Sequence, residues 1–201
     1  MKNKILPQLF IIYLRYILGF AFIFAAIVKI QGLRFTSESG AENPINSAWH
    51  YFETMYQSGI YWRFIGIGQF LAGFLLMTQR YSKLGAVLFF TIIANIFVVT
   101  ISYDFNYTPV ITGLMLLSSL LLILWDWSSF KILFNQTPVI DTTKRLENDR
   151  IWEIFGLILC FITVIIRLNM HAKFVGFGFL ILLFIGIIGL FLGLKKRKLY
   201  R

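Results

Sequence analysis

Residues 61–102 read YWRFIGIGQFLAGFLLMTQ, then RYSK, then LGAVLFFTIIANIFVVTIS, and this stretch decides the fold. It holds two apolar runs, each close to the ~20 residues that an α-helix needs to cross a bilayer. Four residues that include Arg80 and Lys83 join them. So short a connection makes the runs antiparallel neighbours, a helical hairpin in a membrane with positive charge at its turn. Gln69 sits in the first run and Asn95 in the second. Counted from the turn, both lie about 17 Å up their helices at 1.5 Å per residue. The two amides are therefore expected to face one another. Gly66, Gly68, Ala72 and Gly73 give the first run a small-residue side that permits close helix contact.

The rest of the chain has the same character. Hydrophobic residues make up 58% of it and charged residues only 14%, with a mean hydropathy of +0.76. These values lie outside the range of soluble domains and define an all-α, polytopic transmembrane bundle whose surroundings are lipid. The net charge of +10 gathers at the ends of apolar runs. There it serves as a topology signal, and no nucleic-acid partner is inferred from it. Cys160 is the single cysteine and lies within an apolar run, which excludes an internal disulfide and dithiol chemistry by this chain alone.

Six spans follow, at about 9–30, 61–78, 84–103, 108–126, 151–168 and 174–194. The first is too long for a signal peptide and continues past Ala25 and Ala26 to Val28 and Lys29. Pro7 fits the first turn of its helix. Residues 1–126 form a four-helix core with an outer loop at 31–60. Residues 127–150 form an amphipathic segment and then a polar linker broken at Pro138, and residues 151–201 form a hairpin with a basic tail. In the loop, Ser47 can cap a short helix over 48–57 that carries Trp49, Phe52 and Tyr56 on one face. Most of the 19 Lys and Arg fall on the side of the two termini: Lys2, Lys4, Arg80, Lys83, Lys131, Lys144, Arg145, Arg150 and the tail from Lys195 to Arg201. Both termini are accordingly expected in the cytoplasm.

Polar groups inside the spans are the places where chemistry can occur, because each is costly in hydrocarbon unless paired or hydrated. Arg15, Lys29, Gln69 and Asn95 are the candidate ligand-binding residues. Glu53, Arg63 and Asp104 are candidates for an ion-paired lid at the outer mouth, with Glu53 reaching Lys29 or Arg63 while the 48–57 helix covers the outer ends of spans one and two. Plainer readings compete at each position. Arg15 can snorkel towards Asp126, the outer cations can anchor helix ends, and the two amides can bond helix to helix. The aromatic loop can sit in the interfacial belt. His50 and His171 are isolated, so no metal site is expected, and no catalytic set or phosphate loop is present.

Arg15-x-x-Leu18-Gly19 with Ala25-Ala26-x-x-Lys29, Gly66-x-x-Gln69-x-x-x-Gly73, Arg80 in the turn and Gly85-Ala86 together carry a resemblance. Across about residues 10–126 the chain resembles the DoxX-like family of small bacterial inner-membrane proteins, which are four-helix bundles. The family often has a carboxylate where Gln69 stands, and spans five and six lie beyond its usual bundle. The resemblance implies a non-catalytic membrane subunit or docking partner of a quinone-linked or oxidative-stress system, with a quinone as its possible ligand. A small transporter or channel with the same polar residues along a path is the alternative, although the spans lack Pro-broken helices and repeated halves. A purely structural or protective protein is a third reading.

Overall fold

The computed structural model describes residues 4–138, 145–169 and 172–195. Lys2, Lys144, His171 and the tail beyond Lys195 lie outside the described residues. Among the described residues the chain forms α1 (Ile5–Ile30), α2 (Ala48–Gln57), α3 (Ile60–Met77), α4 (Ser82–Ser102), α5 (Thr108–Trp125), α6 (Trp127–Phe130), α7 (Arg150–Leu168) and α8 (Ala172–Lys195), with 3-10 turns at Lys131–Phe134 and Leu146–Asn148 and no strand. Six of these helices (α1, α3, α4, α5, α7 and α8) are long and apolar enough to cross a membrane. The outward surface suits a bilayer. On α8 alone, Phe177, Leu180, Leu183, Phe184, Ile187 and Phe191 are each more than half exposed.

The spans alternate in direction, so α1 starts and α8 ends on one side, here termed the terminal face. The other side, which carries residues 31–59, is the loop face. The Tyr61–Ser102 hairpin forms as expected, yet α1 is the axis of the bundle. One side of α1 packs through Ile11, Leu18 and Phe22 on Ala72, Leu76, Phe89 and Leu122, and the Phe22 and Phe89 rings stack at 3.7 Å. Its other side packs through Leu9, Ile12 and Tyr16 on Met77, Trp152 and Leu159. Small residues set the closest approach. A Cβ on Gly73 would lie 2.7 Å from the Gly19 carbonyl oxygen, and one on Gly66 would lie 2.8 Å from the Lys29 Cβ. Helices in lipid gain little from excluding water, so this backbone-level fit is what holds α1 to α3.

Helix α1 begins at Ile5, a turn before the apolar run itself, because Pro7 in the first turn needs no N–H partner. Only Ser58 and Gly59 separate α2 from α3, and Gly59 takes φ +60 to reverse the chain there. Helix α7 buries Trp152, Gly156, Leu159, Cys160, Thr163 and Ile166, one helical face turned to α1 and the end of α3. The C-terminal hairpin is thus seated on the core through α7, and α8 covers it from the lipid side.

Candidate functional site

The densest polar constellation lies at the terminal face. Arg15, about 15 Å along α1 from Ile5 at 1.5 Å per residue, is 3% exposed. Its guanidinium is 3.1 Å from Asp126 Oδ2 and 3.0 Å from Glu147 Oε2, and it donates to Gln79 Oε1 at 3.0 Å. Arg145 Nη1 is 3.0 Å from Asp126 Oδ1 and 3.0 Å from Glu147 Oε1. Two arginines and two carboxylates therefore alternate around a closed, neutral ring. Each charge has an opposite charge within 3.1 Å, which offsets the cost of taking the set out of water, although Glu147 Oε2 meets Arg15 as an ion pair without a hydrogen bond.

Local structure puts each member there. Gln79 follows the end of α3 with φ +58, a left-handed conformation that terminates the helix and turns the amide inward. Asp126 caps the C-terminal end of α5, where a negative charge opposes the helix dipole unless cations face it. Arg145 and Glu147 come from the segment expected to be a free polar linker. That expectation is corrected, since Arg145, Leu146 and Glu147 are all buried. The Leu146 N–H donates to Gln8 Oε1 of α1, so the segment is pinned to the core.

The ring borders a cavity of about 340 Å³ whose lining includes Arg15, Gln79, Arg80, Lys83, Asp126 and Ser129. Arg80 and Lys83 add positive charge at its rim. Beside it lies an apolar cleft of about 270 Å³ between α1 and α8, with Tyr13, Tyr16, Ile17 and Phe20 on one wall and Phe179, Leu182, Leu183 and Gly186 on the other. Ile17 and Leu183 are more than 60% exposed, so the cleft opens on the lipid-facing surface. Its floor includes Met77, Leu159 and Thr163. Chamber and cleft adjoin along the chain: Arg15 lines one and Tyr16 the other, with Gln79 and Met77 two residues apart in the same way. The Tyr16 hydroxyl donates to the Trp152 carbonyl and ties this wall to α7.

The other expected residues are scattered. Gln69 is buried with no hydrogen-bond partner for its Oε1, whereas Asn95 is exposed on the lipid side of α4. Their depths match as expected, but their rotations do not. The close glycine contacts turn the Gly66–Gln69–Gly73 side of α3 towards α1, and Asn95 lies about 200° around α4 from the buried Ile93. The expectation that these amides face each other is overturned. A transport path lined by both residues loses that basis.

At the loop face, Lys29 is buried between the Phe35 ring at 4.5 Å and the Trp62 ring at 5.1 Å, and it donates to the Ala25 carbonyl at 3.0 Å. Trp62 is held by its own bond to the Leu33 carbonyl, at 2.9 Å. Glu53 pairs with neither Lys29 nor Arg63. Arg34 grips both its oxygens at 2.8 Å, and Gly40 N–H and Gln57 Nε2 each donate at 3.3 Å. A planar guanidinium on a nearby loop outcompetes cations fixed at span ends. Arg63 is exposed, with its guanidinium beside Gly32, and Asp104 is exposed in a tight turn at φ +44 without an ion pair among the described residues. Ser47 caps α2 as expected, accepting from His50 N–H at 3.2 Å. The helix meets α3, the second span, as expected. It stacks Tyr51 on Tyr103 at 4.8 Å and sets Trp49 and Phe52 against Phe105, covering the α4–α5 turn.

The Arg34 hydrogen bonds hold the Glu53 carboxyl well below its ordinary value of 4.5, at about 2, against the opposing effect of burial. A depressed folded value means that the stabilisation is complete above pH ~4.5 and is lost as the pH falls towards 2. A spin label at exposed Glu38 should accordingly stay immobile at neutral pH and loosen across that window. In Arg34→Ala the label should already be mobile at neutral pH. A label that stays equally immobile down to pH 2 would show that the loop does not depend on this pair.

Sequence reasoning named Arg15 and Asp126 but missed Gln79, Arg145 and Glu147. Gln79 carries no signal beyond its place at a helix end. Arg145 and Glu147 are masked by the polar residues around them. The chain is similar to the uncharacterized protein YwoB of Bacillus subtilis (strain 168), 36% identical over 103 residues, which covers 51% of this chain and 64% of that protein. The match thus spans a little under two thirds of that relative's length. No family model and no solved structure matches.

Proposed function

We propose that this chain is a DoxX-like, non-catalytic membrane subunit of a redox system that holds a quinone-like amphiphile between α1, α7 and α8. The observation that carries this reading is the adjacency of an apolar, lipid-facing cleft and a charged chamber through Arg15–Tyr16 and Met77–Gln79. A quinone is a long apolar tail on a small ring with two acceptor carbonyls. The cleft supplies apolar walls for the tail, while the Tyr13 and Tyr16 hydroxyls are spent on the Gly186 and Trp152 carbonyls, so the donors left for the ring are the cations Arg80 and Lys83 at the rim of the chamber. The Lys and Arg bias supports a cytoplasmic terminal face, and on that side the Arg80–Lys83 rim would offer a partner enzyme a positively charged landing point.

The test is the ultraviolet spectrum of an organic extract of protein purified in mild detergent. A quinone band that collapses on borohydride reduction is expected at close to one equivalent. In Gly186→Leu the added side chain fills the cleft, since a Cβ there has its nearest neighbour at 3.9 Å. Retention should fall several-fold with the melting temperature unchanged. An empty extract from the unmodified protein, or equal retention in Gly186→Leu, would defeat the reading.

A further inference from the structure

We propose that two copies of this chain associate in the bilayer through the lipid-facing seam of α4, with Asn95 of one copy bonded to Asn95 of the other. Asn95 lies about 20 Å from the start of α4 and about 10 Å from its end, inside the hydrocarbon. It is exposed, and its amide has no hydrogen bond among the described residues. Among those residues no other amide or charged side chain is exposed in the middle of a span. Many other exposed positions among the described residues of the spans carry hydrocarbon side chains, as with Leu114 and Leu117 of α5 or Leu180 and Phe184 of α8. An amide in that position is costly unless something other than lipid meets it.

The residues around Asn95 have the spacing of a helix–helix seam. Leu84, Leu88, Thr91, Asn95, Val98 and Ser102 recur at intervals of four and three, the 3.5-residue period of two helices wrapped at a shallow left-handed angle. Leu84 and Val98 are 56% and 61% exposed, Thr91 and Ser102 are exposed, and only Leu88 is half-buried. Thr91 and Ser102 satisfy their hydroxyls on the Val87 and Val98 carbonyls of their own helix, so they add small, close-packing surface at no polar cost. Asn95 alone is left wanting a partner.

Symmetry selects a second copy as that partner. All copies share one orientation in the membrane, so a two-fold axis along the bilayer normal brings identical residues together at identical depth. An amide carries both donors and an acceptor and is therefore complementary to itself. A single asparagine in such a seam fixes register as well as affinity. This proposal is independent of the quinone reading and concerns the opposite flank of the bundle from α8.

The test uses the full chain carrying Cys160→Ala, reconstituted in vesicles at high lipid excess. Val98→Cys keeps Asn95 in place and should crosslink to a dimer under mild oxidation. Leu114→Cys, exposed on α5 at comparable depth, should give only the collision background. Adding Asn95→Leu to Val98→Cys should weaken association by about three- to thirty-fold, the range for polar contacts between helices in bilayers. Asn95→Leu leaves the interior untouched, so its melting temperature should not fall. Equal crosslinking at 98 and 114, or no effect of Asn95→Leu, overturns the proposal. So does a monomer in pure lipid, the result expected if a different protein covers the seam.

Discussion

Replacing Arg15 with leucine should destabilise the protein by about 3–5 kcal/mol, the cost of removing one member of a buried, mutually paired set of charges. Arg15 contacts Asp126 and Glu147 directly and is 3% exposed. Once it is gone, Arg145 remains as the ring's single cation against two carboxylates. The ring can then close only by protonating one of them or by admitting water. Glu147→Gln added to Arg15→Leu restores one cation for one anion, and at least half of the lost stability should return. Such recovery is the signature of charge imbalance, because loss of packing alone would make the two changes additive. Thermal unfolding in one detergent at fixed concentration measures all three proteins. A change within about 1 kcal/mol for Arg15→Leu would mean that the ring is solvated and contributes no more than a surface pair.

The ring also shows which parts of the structure could be read beforehand. Spans were legible because they depend only on length and apolarity: α3, α4, α5 and α7 each begin and end within two residues of the runs read from sequence. Depth was legible too, since rise per residue is fixed. Rotation was not. Whether Asn95 points at α3 or at lipid depends on which glycines let α1 approach, and apolar residues surround every helix in lipid, so the periodicity that marks a buried face in water is weak here. The same limit hid the primacy of α1. Arg145 and Glu147 were illegible for a different reason. A charged stretch between spans reads as solvated, and only the two carboxylate contacts of Arg15 reveal that part of it is folded inward.

The tightest backbone approach of the C-terminal hairpin to the core lies where α7 crosses the end of α3, and its loss gives the second large effect. Gly156→Ala should displace α7 and cost about 3 kcal/mol, the upper end for overpacking. A Cβ at Gly156 would sit 1.7 Å from the Met77 carbonyl oxygen and 2.7 Å from its carbonyl carbon. Those atoms are backbone at the end of α3, so no rotamer change relieves the clash and the helix itself must move. Movement there pulls Trp152 from the Tyr16 hydroxyl and the start of α7 from Glu147, so the charged ring should loosen as well. Gly176→Ala is the matched control: nothing lies within 4 Å of its Cβ. In an exposed helix position that change should be neutral or stabilising by up to about 1 kcal/mol. Opposite signs for the same chemical substitution would locate the attachment at the α7–α3 crossing. Equal melting temperatures for Gly156→Ala and Gly176→Ala would mean that the hairpin is held elsewhere, and the contact at Met77 would lose its role.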